Sequence, residues 1–172
     1  MRAILSLAGT ALLAVPAAAS DMEIELEIPR LRVAEYHRPY VAIWIAREDQ
    51  SVAANLAVWY QLTAGPEGDG KTWLKDIRMW WRRIGRTLDM PVDGVSGPTR
   101  PPATHTLEIP QDDPRLRDLE PGHYFLFVEA SREVGGRELL EIPFEWAPDA
   151  SSETTIEGDT ELGRITLRLT AN

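Results

Sequence analysis

Alternation of apolar and polar residues predicts the first and the last strand along this chain. Residues 22–28 read M-E-I-E-L-E-I, and this period of two predicts a strand with its glutamates on a solvated face. Residues 164–170, R-I-T-L-R-L-T, alternate in the same way. Apolar and aromatic runs between them predict five further strands, at residues 40–46, 52–62, 104–109, 123–131 and 137–146.

Turn signals separate most of these segments. The polar residues 47–51 join the second and third strands, and Gly135-Gly136 joins the sixth and seventh, so we expect two hairpins. About seven strands in ~150 residues favour an all-β fold, an immunoglobulin-like β-sandwich. A closed barrel would show the same periodicity. Residues 64–70 and 147–159 are predicted to be a Gly/Pro-rich loop and an acidic connection.

One segment has helical rather than strand periodicity. Residues 71–86 read K-T-W-L-K-D-I-R-M-W-W-R-R-I-G-R, with apolar side chains every three or four residues, which predicts one short amphipathic helix. It carries six positive charges against the single Asp76, in a chain of net charge −9. The helix could cover one open end of the sandwich. Alternatively it could bind an anionic ligand, with Arg82 contacting a phosphate and Trp80 or Trp81 stacking on a planar ring.

The first 19 residues are typical of a secretory signal peptide. Arg2 precedes an apolar run from Ile4 to Val15, and small residues 17–19 follow. The run is shorter than the ~20 residues that a membrane-spanning helix needs. We therefore predict export to the periplasm, cleavage after Ala19, and a single mature domain, residues 20–172, without a membrane span.

Composition excludes several kinds of chemistry. The chain has no cysteine, which rules out disulfides, thiol nucleophiles and thiolate metal sites. Its acidic balance argues against binding to nucleic acid. Its three histidines, His37, His105 and His123, lack metal-ligand spacing, and no nucleophile elbow or phosphate-binding loop occurs. We predict no catalytic constellation and no metal site.

Residues 93–99, D-G-V-S-G-P-T, are predicted to form an exposed loop because Gly and Pro are dense there. The segment resembles the flavinylation motif of bacterial FMN-binding domains, Asp-x-x-Ser/Thr-Gly-Ala-Ser/Thr. In that motif a flavin transferase esterifies the last hydroxyl to the phosphate of FMN. The resemblance implies Thr99 as the attachment site, with Asp93, Ser96 and Gly97 as recognition positions. Pro98 stands where the motif has Ala.

The order of segments along the mature chain resembles the predicted periplasmic family known as domain of unknown function 2271. The most specific parts are W-L-K-D-I-R-M-W-W-R at residues 73–82 and G-G-R-E-L at residues 135–139. Members of that family are exported, and they are often encoded near membrane PepSY-type reductases and flavin transferases. The resemblance implies these two proteins as partners.

Two functional hypotheses follow from these features. The first is a periplasmic accessory protein of a membrane redox system, an electron carrier with FMN attached covalently to Thr99 rather than an enzyme. The second is a non-catalytic binding module that docks a membrane partner through its basic aromatic face.

Overall fold

Two β-sheets lie face to face in the computed structural model, which describes residues 21–65, 68–147 and 150–171. The predicted signal peptide lies outside the described residues. The strands, in chain order, are β1 (Asp21–Ile28), β2 (Tyr40–Arg47), β3 (Val52–Tyr60), β4 (Ser96–Pro98), β5 (Ala103–Pro110), β6 (Gly122–Ser131), β7 (Arg137–Trp146), β8 (Ser152–Glu157) and β9 (Arg164–Leu169). No helix in this part of the chain is long and apolar enough to cross a membrane.

The first sheet has the strand order β5-β1-β9-β8, and the second has the order β4-β3-β2-β6-β7. Neighbouring strands are antiparallel except β3 and β4, which are parallel. Both predicted hairpins, β2–β3 and β6–β7, are present. No strand of one sheet pairs with a strand of the other within the described residues, so the fold is a sandwich and not a barrel.

The main core fills the space between the sheets. Met22, Ile24 and Leu26 of β1 are fully buried there, while the glutamates between them point outwards. Val41 and Ile43 of β2 meet them from the second sheet. The alternation that predicted β1 from the sequence is therefore confirmed, because one face of the strand packs and the other is solvated.

A second apolar cluster covers the outer face of the second sheet. Strand β2 also buries Ala42, Trp44 and Ala46 on this face, and the Trp44 ring stacks on Phe127 with centroids 5.1 Å apart. Three short helical turns pack over them: a 3-10 turn (Gly70–Asp76), α1 (Arg78–Arg83) and a second 3-10 turn (Gly85–Thr87). We call these turns the helical layer. Its buried residues are Leu74, Ile77, Trp80 and Ile84.

The helical layer differs from the structure that we predicted for residues 71–86. We expected one amphipathic helix that covers an open end of the sandwich, and the structure instead has three turns lying across a sheet face. The physical reason is β2, whose residues 41–46 are all buried. A strand without a polar face must be covered on both sides, and these turns supply the second cover.

Two strands were not predicted. Strand β4 lies within the segment interpreted as a loop, where Ser96 pairs with Val58 and Pro98 with Tyr60. Strand β8 lies within the segment interpreted as an acidic connection. Both are edge strands with one neighbour each, so few apolar side chains are needed to hold them and the sequence pattern is weak. The described residues thus form nine strands, where about seven were predicted.

Candidate functional site

A cavity of about 750 Å³ lies at one end of the second sheet, where β2 and β7 begin and β3, β4 and β6 end. We call it the end cavity. Its walls include residues at the strand ends (Tyr40, Gln61, Thr99, Ser131, Arg137), residues of the helical layer (Trp73, Asp76, Arg78) and the flanking segments 36–38 and 132–136. A cavity of this volume is in the range of small-molecule sites.

Four guanidinium groups line the end cavity, those of Arg38, Arg78, Arg132 and Arg137. Arg132 and Arg137 pair with buried carboxylates behind the wall. Arg38 and Arg78 form no ion pair with any residue in the described ranges. These two planar cations therefore remain free to bind an anionic group such as a phosphate.

Glu129 ties the cavity wall to the helical layer. This carboxylate is fully buried on β6 and accepts hydrogen bonds from the backbone N–H groups of Met79 (3.0 Å) and Trp80 (2.8 Å) in α1. It also accepts a 2.6 Å bond from Nε of Arg137. One side chain thus satisfies two N–H groups that a helix start leaves without intrahelical partners, and it fixes an arginine of the cavity.

Arg132 and Glu161 form a buried ion pair beside the end cavity. Nε and Nη2 of Arg132 donate to the two oxygens of Glu161, at 2.8 and 3.0 Å, and the backbone N–H of Gly136 donates to the same carboxylate at 2.7 Å. The third nitrogen, Nη1, is buried and has no hydrogen-bond partner among the described residues. Buried polar atoms are normally satisfied, so this nitrogen is an unsatisfied donor, and it is closed off from solvent.

The Tyr36 hydroxyl is a second unsatisfied donor. It is buried without a hydrogen-bond partner in the described part of the chain, and its ring centroid lies 5.9 Å from Cζ of Arg132. Burial raises the pKa of the Tyr36 phenol, although the positive charge of Arg132 acts in the opposite direction. The phenol is therefore protonated at neutral pH and able to donate.

Trp73 provides the largest exposed aromatic surface at the end cavity. It is 42% exposed, and Nζ of Lys75 lies 5.5 Å from its ring centroid. On another wall, the hydroxyl of Tyr40 donates to the carbonyl oxygen of Gly70 at 3.1 Å, which fastens the start of the helical layer to β2. The exposed indole of Trp73 can stack on a planar ligand.

The segment that resembles the flavinylation motif is firmly held. The hydroxyl oxygen of Ser96 accepts a 2.9 Å bond from the backbone N–H of Val92, and Gly94 has φ = +72° in the turn between them. Nη1 of Arg115 donates to the carbonyl oxygens of Gly94 (3.2 Å) and Leu56 (2.8 Å). The segment is thereby pinned to β3, and Asp93 stays exposed at the turn.

Thr99 follows β4 directly and lines the end cavity, half-buried. Gly97, two residues before it, and Arg100, directly after it, pack on Trp59. A Cβ added to Gly97 would lie 3.2 Å from Cδ1 of Trp59, and Cζ of Arg100 lies 4.6 Å from the Trp59 ring centroid. The backbone around Thr99 is therefore packed on a core indole, which a side chain at position 97 would crowd.

Residues 21–164 match the family model described as predicted periplasmic protein (DUF2271). The chain belongs to this family. The resemblance stated from the sequence is thus confirmed, and the DUF2271 chain is a periplasmic protein. Comparison with curated proteins and with solved structures gives no match.

The structure does not bring all the predicted site residues of the DUF2271 chain together. Thr99 lies in the wall of the end cavity, with Ser96 and Gly97 on the strand that leads to it. Trp80 is fully buried, its Nε1 donates to Oδ1 of Asn55 at 3.0 Å, and its ring packs on Gly85. It has no free face, so the interpretation of Trp80 as a stacking residue is wrong.

Two more predicted site residues lie away from the end cavity. Trp81 is half-buried in the helical layer, and Arg82 is exposed on the outer surface of α1, with Nη2 3.8 Å from the sulfur of Met79. Neither lines the cavity; Trp73 and Arg78 of the same segment do. The segment is broken into three turns, so a single helical wheel assigned the wrong faces.

Sequence reasoning missed the residues contributed by the β6–β7 hairpin of the DUF2271 chain, chiefly Arg132 and Arg137. A signal was available in the strand period. Phe125, Phe127 and Glu129 share one face of β6, so a carboxylate follows two aromatic residues on a face that packs. A buried carboxylate needs a cation, and the nearest arginines along the chain are these two. Among the described residues, no acidic or histidine cluster could hold a metal ion.

Proposed function

We propose that this protein carries FMN covalently on Thr99 and acts as an electron carrier for a membrane redox system. The observation that supports the proposal is the position of Thr99. It is the one residue that both completes the D-G-V-S-G-P-T segment and lines the end cavity. The residue whose hydroxyl the motif assigns to the phosphate therefore borders a space lined by arginines and an exposed indole.

The residues of the end cavity fit a flavin. Thr99 would carry the phosphate ester, and Arg38 and Arg78 are the unpaired cations available to its charge. Trp73 offers an exposed face for the planar ring. When bound, the flavin supplies the electron-transfer chemistry, while the protein supplies orientation, charge and shielding from water.

Attachment requires a transferase and an activated donor. The Thr99 hydroxyl oxygen forms a bond to the flavin phosphorus of a dinucleotide donor, and the phosphoanhydride bond of that donor breaks. The nucleotide half leaves, and the hydroxyl proton passes to a base of the transferase. Access to Thr99 is favoured by its position, because β4 is an edge strand and Pro98 beside it is exposed.

Intact mass tests this proposal. The chain is co-expressed with a flavin transferase that modifies a known acceptor, and the exported product is weighed. We expect the wild type to gain the mass of one FMN less water. Thr99→Ala should gain nothing, while Thr104→Ala, an exposed threonine on β5, should be loaded like the wild type. An unmodified wild type, with the known acceptor modified in parallel, would rule out the flavin.

The basic surface of the helical layer favours a second function, the docking of an acidic partner. Five of the six cationic side chains in segment 71–86 are exposed, namely Lys71, Lys75, Arg78, Arg82 and Arg86. None of them forms an ion pair with a described residue. The two functions are separable, since Thr99→Ala should abolish flavin attachment and leave this surface intact.

A further inference from the structure

We propose that the helical layer binds the surface of an anionic phospholipid membrane, with its exposed cations on the headgroups and the Trp73 indole inserted between them. This inference rests on the docking function proposed above and deepens it by naming the partner. It accounts for an exposed tryptophan and for a set of unpaired cations that the packing of the helical layer does not require.

The exposed cations of the helical layer are spread over all three of its turns. Lys71 and Lys75 lie in the first 3-10 turn, Arg78 and Arg82 in α1, and Arg86 in the second 3-10 turn. None of them forms an ion pair with a described residue. A lipid surface offers many separate headgroups to such a set, and each cation near it strengthens binding about fivefold.

Trp73 distinguishes a lipid surface from an acidic protein as the partner. It is 42% exposed, whereas the other five tryptophans are buried or half-buried. Its ring lies among the cations, since Nζ of Lys75 is 5.5 Å from the ring centroid and Arg78 lines the same cavity. Tryptophan favours the interface between headgroups and acyl chains, because its ring is apolar while its N–H can still find a polar partner. An acidic protein would bind the cations but has no comparable use for this ring.

The charge on the far side of the molecule sets its orientation on the membrane. The outer face of the first sheet carries glutamates, among them Glu23 and Glu153. An anionic surface repels this face and attracts the helical layer, so the molecule approaches with the helical layer first. The end cavity, which Trp73 borders, then lies beside the membrane. A flavin attached to Thr99 would be held close to a redox partner in that membrane.

Sedimentation of the purified protein with vesicles tests the inference. We expect the wild type to sediment with vesicles of phosphatidylglycerol and phosphatidylcholine in equal parts, and not with vesicles of phosphatidylcholine alone. Lys75→Glu/Arg82→Glu should bind about thirtyfold more weakly, because two cations are lost from the contact. The matched control is Arg32→Glu/Arg117→Glu, which makes the same change in net charge at exposed positions outside the helical layer. It should bind like the wild type.

Trp73→Ala separates a lipid surface from an acidic polymer. It should weaken vesicle binding about tenfold and leave retention on immobilised poly-glutamate unchanged, because only a membrane buries the ring. Val33→Ala trims an apolar side chain that is 43% exposed outside the helical layer, and it should match the wild type on both probes. The fluorescence of the wild type should shift to shorter wavelength on the anionic vesicles and not on soluble poly-glutamate, since Trp73 is the exposed indole.

The outcomes distinguish the inference from the function on which it rests. Retention on poly-glutamate without binding to the anionic vesicles would overturn the inference and leave the docking function standing, with an acidic protein as the partner. Equal vesicle binding by the wild type and Trp73→Ala would also overturn it, because charge alone would then hold the protein on the membrane. Binding to neither probe would remove the docking function together with the inference.

Discussion

Glu138 shows how a single side chain can organise a loop next to the end cavity. Its carboxylate accepts hydrogen bonds from four consecutive backbone N–H groups, those of residues 159–162, at 2.6 to 3.1 Å. Although burial acts to raise it, these N–H donors hold the pKa of Glu138 below its ordinary value. The loop that Glu138 fixes carries Glu161, so it also determines where Arg132 lies.

Glu138→Gln should therefore destabilise the protein in a pH-dependent way. The folded-state pKa is lowered, so the carboxylate contributes stability above its unfolded pKa of about 4.3 and loses that contribution as the pH falls through the folded value. In urea denaturation at pH 7 we expect a loss of about 1–3 kcal/mol. The loss should be smaller at pH 3, because that pH lies below the unfolded pKa.

Glu145→Gln is the matched control, because Glu145 is an exposed carboxylate on the same strand. Its free energy of unfolding should follow the wild type at both pH values. A Glu138→Gln deficit of equal size at pH 7 and pH 3 would show that the effect is steric and that the charge plays no part.

At the scale of elements, the helical layer depends on the sheet beneath it. Its middle turn, α1, has six residues, too few to be stable alone. Buried apolar side chains and the Glu129 carboxylate hold it on β2, β3 and β6. Arg83 adds a link at the far end, donating to Gln50 in the turn between β2 and β3.

Glu129→Gln tests this dependence. The amide leaves Arg137 without its counterion and offers one acceptor in place of two, so we expect a loss of about 3 kcal/mol. Loosening of the helical layer should also speed trypsin cleavage after Lys75, Arg78 and Arg82, measured by mass of the fragments. Glu141→Gln, an exposed site on β7, should match the wild type in both measurements. Unchanged cleavage in Glu129→Gln would refute the capping role.

Elements with a regular period could be predicted from the sequence, and elements held by others could not. Strands β1, β2, β6, β7 and β9 follow from apolar runs or alternation, since their own side chains supply the buried face. Strands β4 and β8 have one neighbour each and few apolar residues of their own, so no local pattern marks them.

The same contrast applies to the candidate site. Thr99 could be named because a local motif carries it. Arg38, Arg132 and Tyr36 could not, because only the topology brings segment 36–38 and the β6–β7 turn to the same end of the sheet. Trp80 was assigned wrongly because helical spacing states which residues share a face and not whether that face packs.

At the scale of the whole molecule, acidic and basic side chains lie on opposite sides. The outer face of the first sheet carries glutamates of β1, β5 and β8, some of which Arg168 gathers: it contacts Glu23, Glu25 and Glu153 within 2.5 to 3.1 Å. The basic surface of the helical layer lies on the opposite side, beyond the second sheet. Such a separation orients the molecule in the field of a charged partner before contact.

This separation predicts binding to an acidic polymer through one side. Immobilised poly-glutamate should retain the wild type, and the double variant Lys75→Glu/Arg82→Glu should bind roughly tenfold more weakly. The free energy of unfolding should change by less than about 0.5 kcal/mol because both sites are exposed.

Arg32→Glu/Arg117→Glu makes the same change in net charge at exposed positions outside the helical layer. It should bind like the wild type, and added salt should weaken the wild type towards the double variant. Equal weakening by both double variants would mean that net charge, and no particular surface, governs the interaction.

The double burial of β2 has a consequence for how the chain opens. Its amide protons are bonded to β3 on one side and β6 on the other, with the main core beneath and the helical layer above. These amide protons can exchange with solvent deuterium only through global unfolding. The β2 amides should therefore be the slowest in the chain to exchange and report the global free energy of unfolding, while β4 and β8 fray and exchange early at the edges.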